Sequence, residues 1–293
     1  MNTKVDVRDV SLNYRKMNVI DQVSFTMETG KTYGLIGRNG AGKTTLLSLL
    51  TGFRLPDAGD IQVNGEPLFE NRMMMPKVNL IYPADYADES DNAKSYFETA
   101  EKYRPHFDRA YAEELAEKFG FPVKKPINKL STGMQSAFNA TLGLAARTEV
   151  TLFDEVYNGM DAPTREAFYQ EFVREQERHP RIMVLSTHLV SEMDYLFDHV
   201  FMLHNQKLIA DAPTDELQSR AFTVTGGQAL VDEVTKQMAV IHEEELGGMK
   251  RAVIYDANND VKQKEAAEAG LGIGAVTLQD LFIYLTGGGN GHE

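Results

Sequence analysis

The sequence predicts an α/β fold in which helices cover both faces of a parallel sheet. Short apolar runs, such as residues 150–153 and 182–186, are typical of strands that are buried on both faces. Amphipathic helical patterns alternate with these runs, as expected for parallel strands joined by helices. A glycine-rich segment at 37–44 joins one further apolar run to a helical pattern. Since ligands of such folds bind at the carboxyl ends of the strands, we expect the site there.

The segments before and after the glycine-rich loop have a different pattern. Residues 4–13 and 22–28 alternate apolar and polar positions, which predicts antiparallel strands. Residues 61–68 predict a hairpin that turns at Asn64 and Gly65, because this pair favours the tight turns of hairpins. The amino-terminal part is therefore expected to contain a small antiparallel sheet.

The segment at 37–44 follows a predicted buried strand and precedes a predicted helix that ends at Gly52. It fits the pattern G-x-x-x-x-G-K-[ST]. In this pattern the glycines let backbone N–H groups curl around a phosphate, Lys43 reaches the β- and γ-phosphates, and the Thr44 hydroxyl coordinates Mg²⁺. We therefore predict a nucleotide site rather than a glycine-rich turn with a surface lysine. Its candidate residues are Gly37, Arg38, Asn39, Gly40, Ala41, Gly42, Lys43, Thr44 and Thr45.

Two adjacent carboxylates follow the apolar run at 150–153. Successive residues of a strand point to opposite sides, so Asp154 and Glu155 cannot do the same task. Asp154 is the candidate Mg²⁺ partner, and Glu155 is the candidate general base for a hydrolytic water. An isolated acidic pair is more often a solvated strand end. After a phosphate loop, however, the catalytic interpretation is favoured.

Three further strings complete an ordered set: LSTGMQ at 130–135, NGMD at 158–161 and STH at 186–188. With them, residues 4–220 resemble the ATPase subunit of bacterial exporter-type ABC transporters. The resemblance implies a phosphate-loop NTPase (RecA-like) core with amino-terminal antiparallel strands, an inserted helical subdomain and a small α+β carboxy-terminal appendage. It also implies ATP hydrolysis, with ATP and Mg²⁺ as cofactors.

The resemblance gives five other positions a role. Ser131 and Gly133 match the signature serine and glycine, which face the γ-phosphate bound by the other subunit from the start of a helix. Tyr14 matches the ring that stacks on adenine, and His188 matches the switch histidine that contacts the γ-phosphate. Asp161 matches the D-loop aspartate that crosses the dimer interface. Without the resemblance, Ser131 and Asp161 are helix caps, Tyr14 is a strand tyrosine, and His188 has no role.

Three departures from the family pattern bear on activity. Ala84 occupies the place of the Q-loop glutamine, which senses Mg²⁺ and couples to the membrane subunit, and Asp85 is a candidate substitute. The signature has Thr132 and Met134 in place of glycine and glutamine, and Val156 replaces the commoner proline. Since neither a phosphate ligand nor the general base is lost, we expect an active ATPase. The alternative is a degenerate ATP-binding subunit with a regulatory or structural role.

The predicted organisation is an ATPase domain at 1–221, with the helical subdomain at about 90–147, and an accessory region at 222–293. The accessory pattern is strand, helix, strand, strand and a last helix at 277–287, with a flexible glycine-rich tail at 287–293. No motif there carries a chemical mechanism, so a packing accessory is favoured over a regulatory or dimerisation element.

The composition of the chain indicates which kinds of partner and which cellular compartment to expect. The 43 acidic and 30 basic residues give a net charge of −13, which argues against a nucleic-acid groove. The chain has no cysteine, which is compatible with a reducing cytoplasm. It shows neither an apolar signal core at its start nor a stretch long enough to span a membrane.

The resemblance implies two protein partners. A second ATPase subunit would complete two shared ATP sites, and a homodimer is favoured over a heterodimer because the chain carries every cis and trans element except the Q-loop glutamine. A multi-span membrane permease, an exporter, would use the energy of ATP. The chain is therefore expected in the cytoplasm, held on the inner face of the cell membrane through that permease, without a nucleic-acid partner.

Overall fold

The computed structural model describes residues 2–15, 17–256 and 259–287. Within this part of the chain, no helix has the length and apolar character needed to cross a membrane. The strands are β1 (Lys4–Tyr14), β2 (Met17–Glu28), β3 (Thr32–Gly37), β4 (Ala58–Val63), β5 (Glu66–Pro67), β6 (Val78–Ile81), β7 (Val150–Asp154), β8 (Ile182–Thr187), β9 (His199–His204), β10 (Lys207–Pro213), β11 (Ala221–Gly227), β12 (Val240–Leu246), β13 (Met249–Tyr255) and β14 (Gly272–Ala275). The helices are α1 (Lys43–Leu50), α2 (Ala93–Tyr103), α3 (Arg109–Lys118), α4 (Thr132–Ala146), α5 (Ala162–Arg178), α6 (Val190–Met193), α7 (Thr214–Ser219), α8 (Gln228–Thr235), α9 (Asn259–Glu268) and α10 (Leu278–Leu285).

The chain divides into two compact units, of which the first holds the glycine-rich loop and the acidic pair. The predicted domain boundary after residue 221 stays a prediction. The predicted tail lies outside the described residues from position 288 onward. The two units are Met1–His188 with Tyr195–Asp211, and Leu189–Asp194 with Ala212–Glu293.

A six-stranded sheet in the order β10-β9-β3-β8-β7-β6 forms the centre of the first unit. The pairings among β9, β3, β8, β7 and β6 are parallel. β3, β7 and β8 are buried along their whole length, as expected for strands covered on both faces. The predicted α/β core is confirmed, and the parallel register aligns the carboxyl ends of β3, β6, β7 and β8 along one edge.

A four-stranded antiparallel sheet in the order β2-β1-β4-β5 also belongs to the first unit. Val63 pairs with Glu66, so the hairpin turns at Asn64 and Gly65, whose φ angles of 55° and 81° are both positive. The alternating apolar residues of β1 and β2 point into the core. The predicted strands and the predicted hairpin are therefore confirmed.

The helices α2, α3 and α4 fill the inserted region between β6 and β7, as the helical pattern predicts. The ring of Phe138 on α4 is fully buried and lies at the centre of this region. Gly120 has a φ of 73° and ends α3 in the left-handed conformation that glycine adopts without strain. The rings that contact Phe138 are those of Tyr86, Tyr96, Phe97 and Phe121.

An antiparallel sheet in the order β12-β13-β11-β14 forms the second unit, and its buried face includes Phe222, Val224 and Ile254. The predicted strands and the last helix are found, whereas the sequence pattern predicts neither α9 nor β14. α9 has a mainly polar sequence in which Ala266 is fully buried, so it lacks an apolar stripe. β14 contains two glycines, which disfavour strands, and it forms through its pairing with β11.

Candidate active site

The glycines of the loop between β3 and α1 are required by its backbone. Gly40 and Gly42 have φ angles of 80° and 105°, which residues with a side chain rarely adopt. A Cβ atom at Gly37 would lie 2.9 Å from the carbonyl oxygen of Leu203, closer than packing allows. Lys43 begins α1, is buried, and donates from Nζ to the carbonyl oxygen of Gly37 at 2.7 Å. The loop thus holds a lysine beside the amino terminus of a helix, where anions are favoured.

A cleft of about 600 Å³ opens beside this loop. It combines loop residues with the acidic pair at the end of β7, as the sequence predicts. Gly37 and Ala41 belong to the loop, but they lie outside the described lining. The residues that line the cleft are Val19, Arg38, Asn39, Gly40, Gly42, Lys43, Thr44, Thr45, Tyr82, Pro83, Asp154, Glu155 and Asn158.

Asp154 is the last residue of β7 and is 5% exposed. It accepts hydrogen bonds from the Thr44 hydroxyl at 2.6 Å and from the Ser186 hydroxyl at 2.5 Å. Mg²⁺ prefers such hard oxygen ligands and is usually held by one or two protein groups together with phosphate oxygens. Among the described residues, no cluster of three His, Cys, Asp or Glu could hold a metal alone. The Thr44 and Asp154 oxygens therefore fit a Mg²⁺ ion that a bound nucleotide helps to coordinate.

Glu155 lies just beyond β7 and adopts a φ of 46°. The turn at this left-handed residue, rather than strand alternation, separates its carboxylate from that of Asp154. One oxygen of Glu155 lies 3.1 Å from Lys43 Nζ and 3.1 Å from His188 Nδ1. The other oxygen accepts a hydrogen bond from the Asn158 amide at 3.0 Å. Glu155 is thus the point at which the phosphate loop, the NGMD segment and the end of β8 meet.

The surroundings of Glu155 favour its ionised form. Burial acts to raise the pKa of this carboxyl group, but hydrogen bonds with His188 and Asn158 and the charge of Lys43 outweigh burial and hold the pKa below its usual value. Glu155 is therefore a carboxylate at neutral pH and able to accept a proton from water.

Tyr14 and His188 stand apart from the described lining of the cleft. His188 reaches the site through its contact with Glu155. The ring of Tyr14 is 41% exposed, and the guanidinium carbon of Arg54 lies 4.1 Å from its centroid. The role of Tyr14 in stacking on adenine therefore stays a prediction.

Ser131 and Asp161 are exposed helix caps. Ser131 accepts a hydrogen bond from the backbone N–H of Met134 at 3.3 Å, and Asp161 accepts one from that of Thr164 at 3.0 Å. The hydrogen bonds at Thr164 hold the pKa of Asp161 below its usual value. Both residues remain accessible from solvent at the amino termini of α4 and α5, where negative charge is favoured.

The start of α4 lies against the NGMD segment of the same chain. A Cβ atom at Gly133 would be 2.4 Å from the carbonyl oxygen of Gly159, so only glycine permits this approach. The Ser136 hydroxyl donates to the carbonyl oxygen of Asn158 at 2.6 Å. Because the Asn158 side chain bonds to Glu155, the signature segment and the acidic strand end are connected through one loop.

Sequence reasoning missed Asn158, Ser186 and Tyr82 as parts of the site. Ser186 belongs to the STH string and pairs with Asp154 in the parallel register of β7 and β8, which is the signal that could have identified it. Ala84 lines a different cavity, and Asp85 is outside the described cleft lining, where its carboxylate accepts from the N–H of Ala87 at 2.9 Å. In this loop, Tyr82 and its neighbour Pro83 line the cleft instead.

Comparison with protein families and with characterised proteins agrees with this geometry. The family model described as "ABC transporter" matches residues 20–158. A Bacillus subtilis protein that bears the name "Putative ABC transporter ATP-binding protein AlbC" is 32% identical over 238 aligned positions, covering 76% of this chain and 98% of AlbC. The bacitracin transport ATP-binding protein BcrA of Bacillus licheniformis is 28% identical over 307 positions, covering 99% of both chains. The Nod factor export ATP-binding protein I of Burkholderia thailandensis is 26% identical, covering 97% of both.

Solved structures show the same fold. The structure of an ATP-binding subunit of an ABC transporter superimposes with a TM-score of 0.63 at 21% identity, covering 80% of this chain and 92% of that chain. A bacterial Atm1-family ABC exporter with ATP bound superimposes with a TM-score of 0.62 at 20% identity, covering 75% of this chain and 40% of that chain.

Proposed function

This chain belongs to the ABC transporter ATP-binding proteins, and from that premise we propose that it hydrolyses ATP in the phosphate-loop cleft to power a separate permease that exports its substrate. The observation that carries the proposal is the position of Glu155. Its carboxylate lies 3.1 Å from Lys43 Nζ and 3.1 Å from His188 Nδ1, at the end of a buried strand. The Glu155 carboxylate, the proposed general base, therefore lies beside Lys43, the proposed phosphate ligand.

Different residues of the cleft would bind the phosphates of ATP and the Mg²⁺ ion. The backbone N–H groups of the loop and the Lys43 ammonium would hold the β- and γ-phosphates. Thr44 and Asp154 would hold Mg²⁺, which neutralises phosphate charge when bound. Arrival of the phosphates would exchange the Lys43–Glu155 ion pair for contacts between Lys43 and phosphate. The Glu155 oxygen that loses Lys43 would keep its contact with His188 and would accept water in the place of Lys43.

Hydrolysis then requires one proton transfer at Glu155. Its carboxylate would accept a proton from the attacking water, whose oxygen forms a bond to the terminal phosphorus while ADP departs with the electrons of the broken bond. His188 would orient the carboxylate, because its Nδ1 lies within hydrogen-bond distance of the same oxygen. We assign the signature contacts with the γ-phosphate to Ser131 and Gly133 of a second subunit, and a dimer contact to Asp161.

The names of the relatives support the proposed permease and the proposed direction of transport. The exposure of the helix caps Ser131 and Asp161 supports the proposed dimer. BcrA is named for bacitracin transport and the Nod factor protein for export, which supports an exporter permease at the inner face of the membrane. Ser131 and Asp161 are exposed on the first unit, as a head-to-tail dimer around two ATP would need. We favour a homodimer. In the proposed organisation, the ATPase domain spans 1–221 and the accessory region 222–293.

Steady-state ATP hydrolysis by the purified chain, alone and reconstituted with its permease, tests the proposal. We expect hydrolysis that depends on Mg²⁺ and increases with the permease, and that is lost in Lys43→Ala. A chain that binds ATP but does not hydrolyse it in either setting would instead be the degenerate regulatory subunit, and the proposal would be wrong.

A further inference from the structure

Two buried hydroxyl contacts join the end of β8 to the end of β7 and to the turn that follows it. Ser186 and Thr187 are the last residues of β8 and are both fully buried, and successive strand residues point to opposite faces of a sheet. The Ser186 hydroxyl donates to Asp154 at 2.5 Å. The Thr187 hydroxyl shares a hydrogen bond of 2.8 Å with the hydroxyl of Tyr157. The first contact fixes the proposed Mg²⁺ ligand, whereas the second contact lies directly before His188 in the chain.

Tyr157 is buried in the turn that follows Glu155. Its side chain is 1% exposed, although the two residues after it are exposed. The N–H of Asn158 donates to the carbonyl oxygen of Glu155 at 3.0 Å, and the N–H of Met160 donates to that of Tyr157 at 3.1 Å. The closed turn and the burial of the ring together restrict the Tyr157 hydroxyl to one place.

His188 follows Thr187 directly, so the end of β8 determines where its ring lies. The side chain of His188 is 35% exposed, and packing alone therefore restrains it little. Its ring centroid lies 6.5 Å from that of Tyr157, and its Nδ1 lies 3.1 Å from a carboxylate oxygen of Glu155. A displacement of Thr187 would change the distance between His188 and Glu155.

We propose that Tyr157 is a positioning residue for hydrolysis, whose hydroxyl fixes Thr187 and thereby holds the His188 ring beside the Glu155 carboxylate; this inference rests on the proposed ATP-hydrolysing function. The effect depends on the hydrogen bond, so phenylalanine cannot replace tyrosine. Tyr157 is outside the described lining of the cleft, and ATP binding should therefore not depend on its hydroxyl.

Steady-state hydrolysis by full-length chains tests the hydroxyl pair. Tyr157→Phe and Thr187→Val each remove one hydroxyl and nearly keep the shape of the side chain. We expect each to lower kcat by about tenfold and to change the KM for ATP by less than about threefold, because misplacement affects the chemical step. The double variant should be no less active than either single variant, since the two hydroxyls act as one pair. Thr187→Ser keeps the hydroxyl and should keep most of the activity.

NMR signals of the His188 ring test its placement without any need for turnover. The chain has seven histidines, and the signals that disappear in His188→Ala identify this ring among isotope-labelled histidines. Glu155→Gln exchanges the carboxylate beside Nδ1 for an amide, so it should shift the His188 signals in the nucleotide-free chain. In the Tyr157→Phe background we expect this shift to fall to about half or less, because the ring is no longer held against residue 155.

Tyr33→Phe is the matched control. Tyr33 is 2% exposed, and its hydroxyl accepts a hydrogen bond from the N–H of Glu28 at 2.7 Å. The control variant therefore also loses a buried, hydrogen-bonded hydroxyl, at a residue outside the described cleft lining. It should change neither kcat nor the effect of Glu155→Gln on the His188 signals.

Four results would overturn the inference without touching the proposed function. They are turnover in Tyr157→Phe close to that of the unaltered chain, an equal fall in kcat in Tyr33→Phe, a double variant far less active than either single variant, and a full effect of Glu155→Gln on the His188 signals in Tyr157→Phe. An unaltered chain that binds ATP but does not hydrolyse it, alone or with its permease, would contradict the proposed function instead. The ring signals would then still decide whether Tyr157 positions His188.

Discussion

At the scale of single residues, Glu155 is the centre of the site, because the side chains of Lys43, His188 and Asn158 all contact its carboxylate through nitrogen atoms. Lys43 is 6% exposed and Glu155 is 20% exposed, so their contact is little screened by water. His188 and Asn158 occupy the remaining sides of the carboxylate. The charge of Glu155 is thus maintained by groups that also orient it, which is what a general base needs before substrate arrives.

Glu155→Gln should separate ATP binding from ATP hydrolysis. The amide keeps the size of the side chain and loses its ability to accept a proton, whereas the proposed phosphate ligands are Lys43 and the loop. We expect turnover to fall by about 10²-fold or more with ATP affinity nearly intact. Steady-state hydrolysis and binding isotherms measure the two effects, with Glu66→Gln on exposed β5 as the control. Turnover close to that of the unaltered chain would refute the assignment.

Motif spacing predicts two loop glycines because the backbone there demands glycine. Gly42 needs a positive φ and Gly37 leaves no room for a Cβ atom, so both are fixed positions of the pattern. Asn158 and Ser186 gain their roles from a turn and from strand register, which the sequence pattern does not encode locally. The place of Tyr82 in the cleft lining could not be predicted for the same reason, since it follows from the pairing of β6 with β7.

At the scale of elements, the contact between α4 and the NGMD segment decides how the signature helix is placed. Gly133 approaches the backbone of Gly159, whose φ of 84° is itself suited to glycine. The approach lets the Ser136 hydroxyl reach the carbonyl oxygen of Asn158. A shift of α4 would therefore move Asn158, and the hydrogen bond from the Asn158 amide would change the position of the Glu155 carboxylate.

Gly133→Ala tests this contact. In a helix this substitution normally stabilises by up to about 1 kcal/mol. Here the new Cβ would lie 2.4 Å from a backbone oxygen that cannot rotate away, and relieving such overpacking costs about 1–3 kcal/mol. We expect net destabilisation in a thermal melt together with reduced turnover. Gly227→Ala, whose Cβ meets open space, is the control, and equal effects of the two substitutions would contradict the steric argument.

A buried carboxylate with two partly exposed cationic partners joins α3 to α5. Glu171 on α5 is 2% exposed and is paired with Lys118 of α3 and with Arg174 at 2.8 Å. The Tyr111 hydroxyl of α3 also donates to Glu171 at 3.2 Å. Burial acts to raise the pKa of Glu171, but the hydrogen bonds from Lys118 and Arg174 outweigh it and hold the pKa below the usual 4.5.

The lowered pKa of Glu171 sets a pH dependence of stability. Its contribution is fully present above pH 4.5 and is lost as the pH falls through the folded-state pKa, because a depressed pKa favours the ionised folded form. Glu171→Gln should cost about 1–2 kcal/mol at pH 7, because its charge-assisted hydrogen bonds to partly exposed partners are lost, and this difference should shrink below pH 4.5. Urea unfolding across pH measures it. Exposed Glu113→Gln should cost less than about 1 kcal/mol, and a difference for Glu171→Gln that does not change with pH would contradict the assignment.

The elements that the sequence predicts best are those with a clear apolar period. α5 begins after Asp161, which caps it as the sequence indicates. α9 and β14 were not predicted because neither has such a period. α9 consists largely of residues with high helix propensity and lacks only the apolar stripe, whereas in β14 the pairing with β11 overrides the weak strand propensity of glycine.

At the scale of the whole molecule, the exposed signature supports the proposed dimer rather than a self-contained ATPase. Within the described lining of the cleft, neither Ser131 nor Gly133 takes part. Both residues lie at the start of α4, where the helix dipole favours an anion. The phosphate loop and Glu155 are held by one chain, and in the proposed dimer the signature that faces the γ-phosphate would come from a second subunit.

Two inactive variants should therefore restore each other. Lys43→Ala removes a phosphate ligand and Ser131→Arg blocks the signature, so each should be inactive as a homodimer. In a mixed dimer, the intact Lys43 and Glu155 of the Ser131→Arg chain face the intact Ser131 of the Lys43→Ala chain, which leaves one site whole and the other doubly broken. We expect hydrolysis to reappear on equimolar mixing, at up to about a quarter of the wild-type rate if subunits exchange at random and the sites act independently, and at up to about half in a linked mixed dimer. Covalent linkage of the two variants removes the need for subunit exchange, and linked wild type is the control. If the linked mixed dimer is as inactive as either parent while the linked wild type hydrolyses ATP, independent shared sites are excluded.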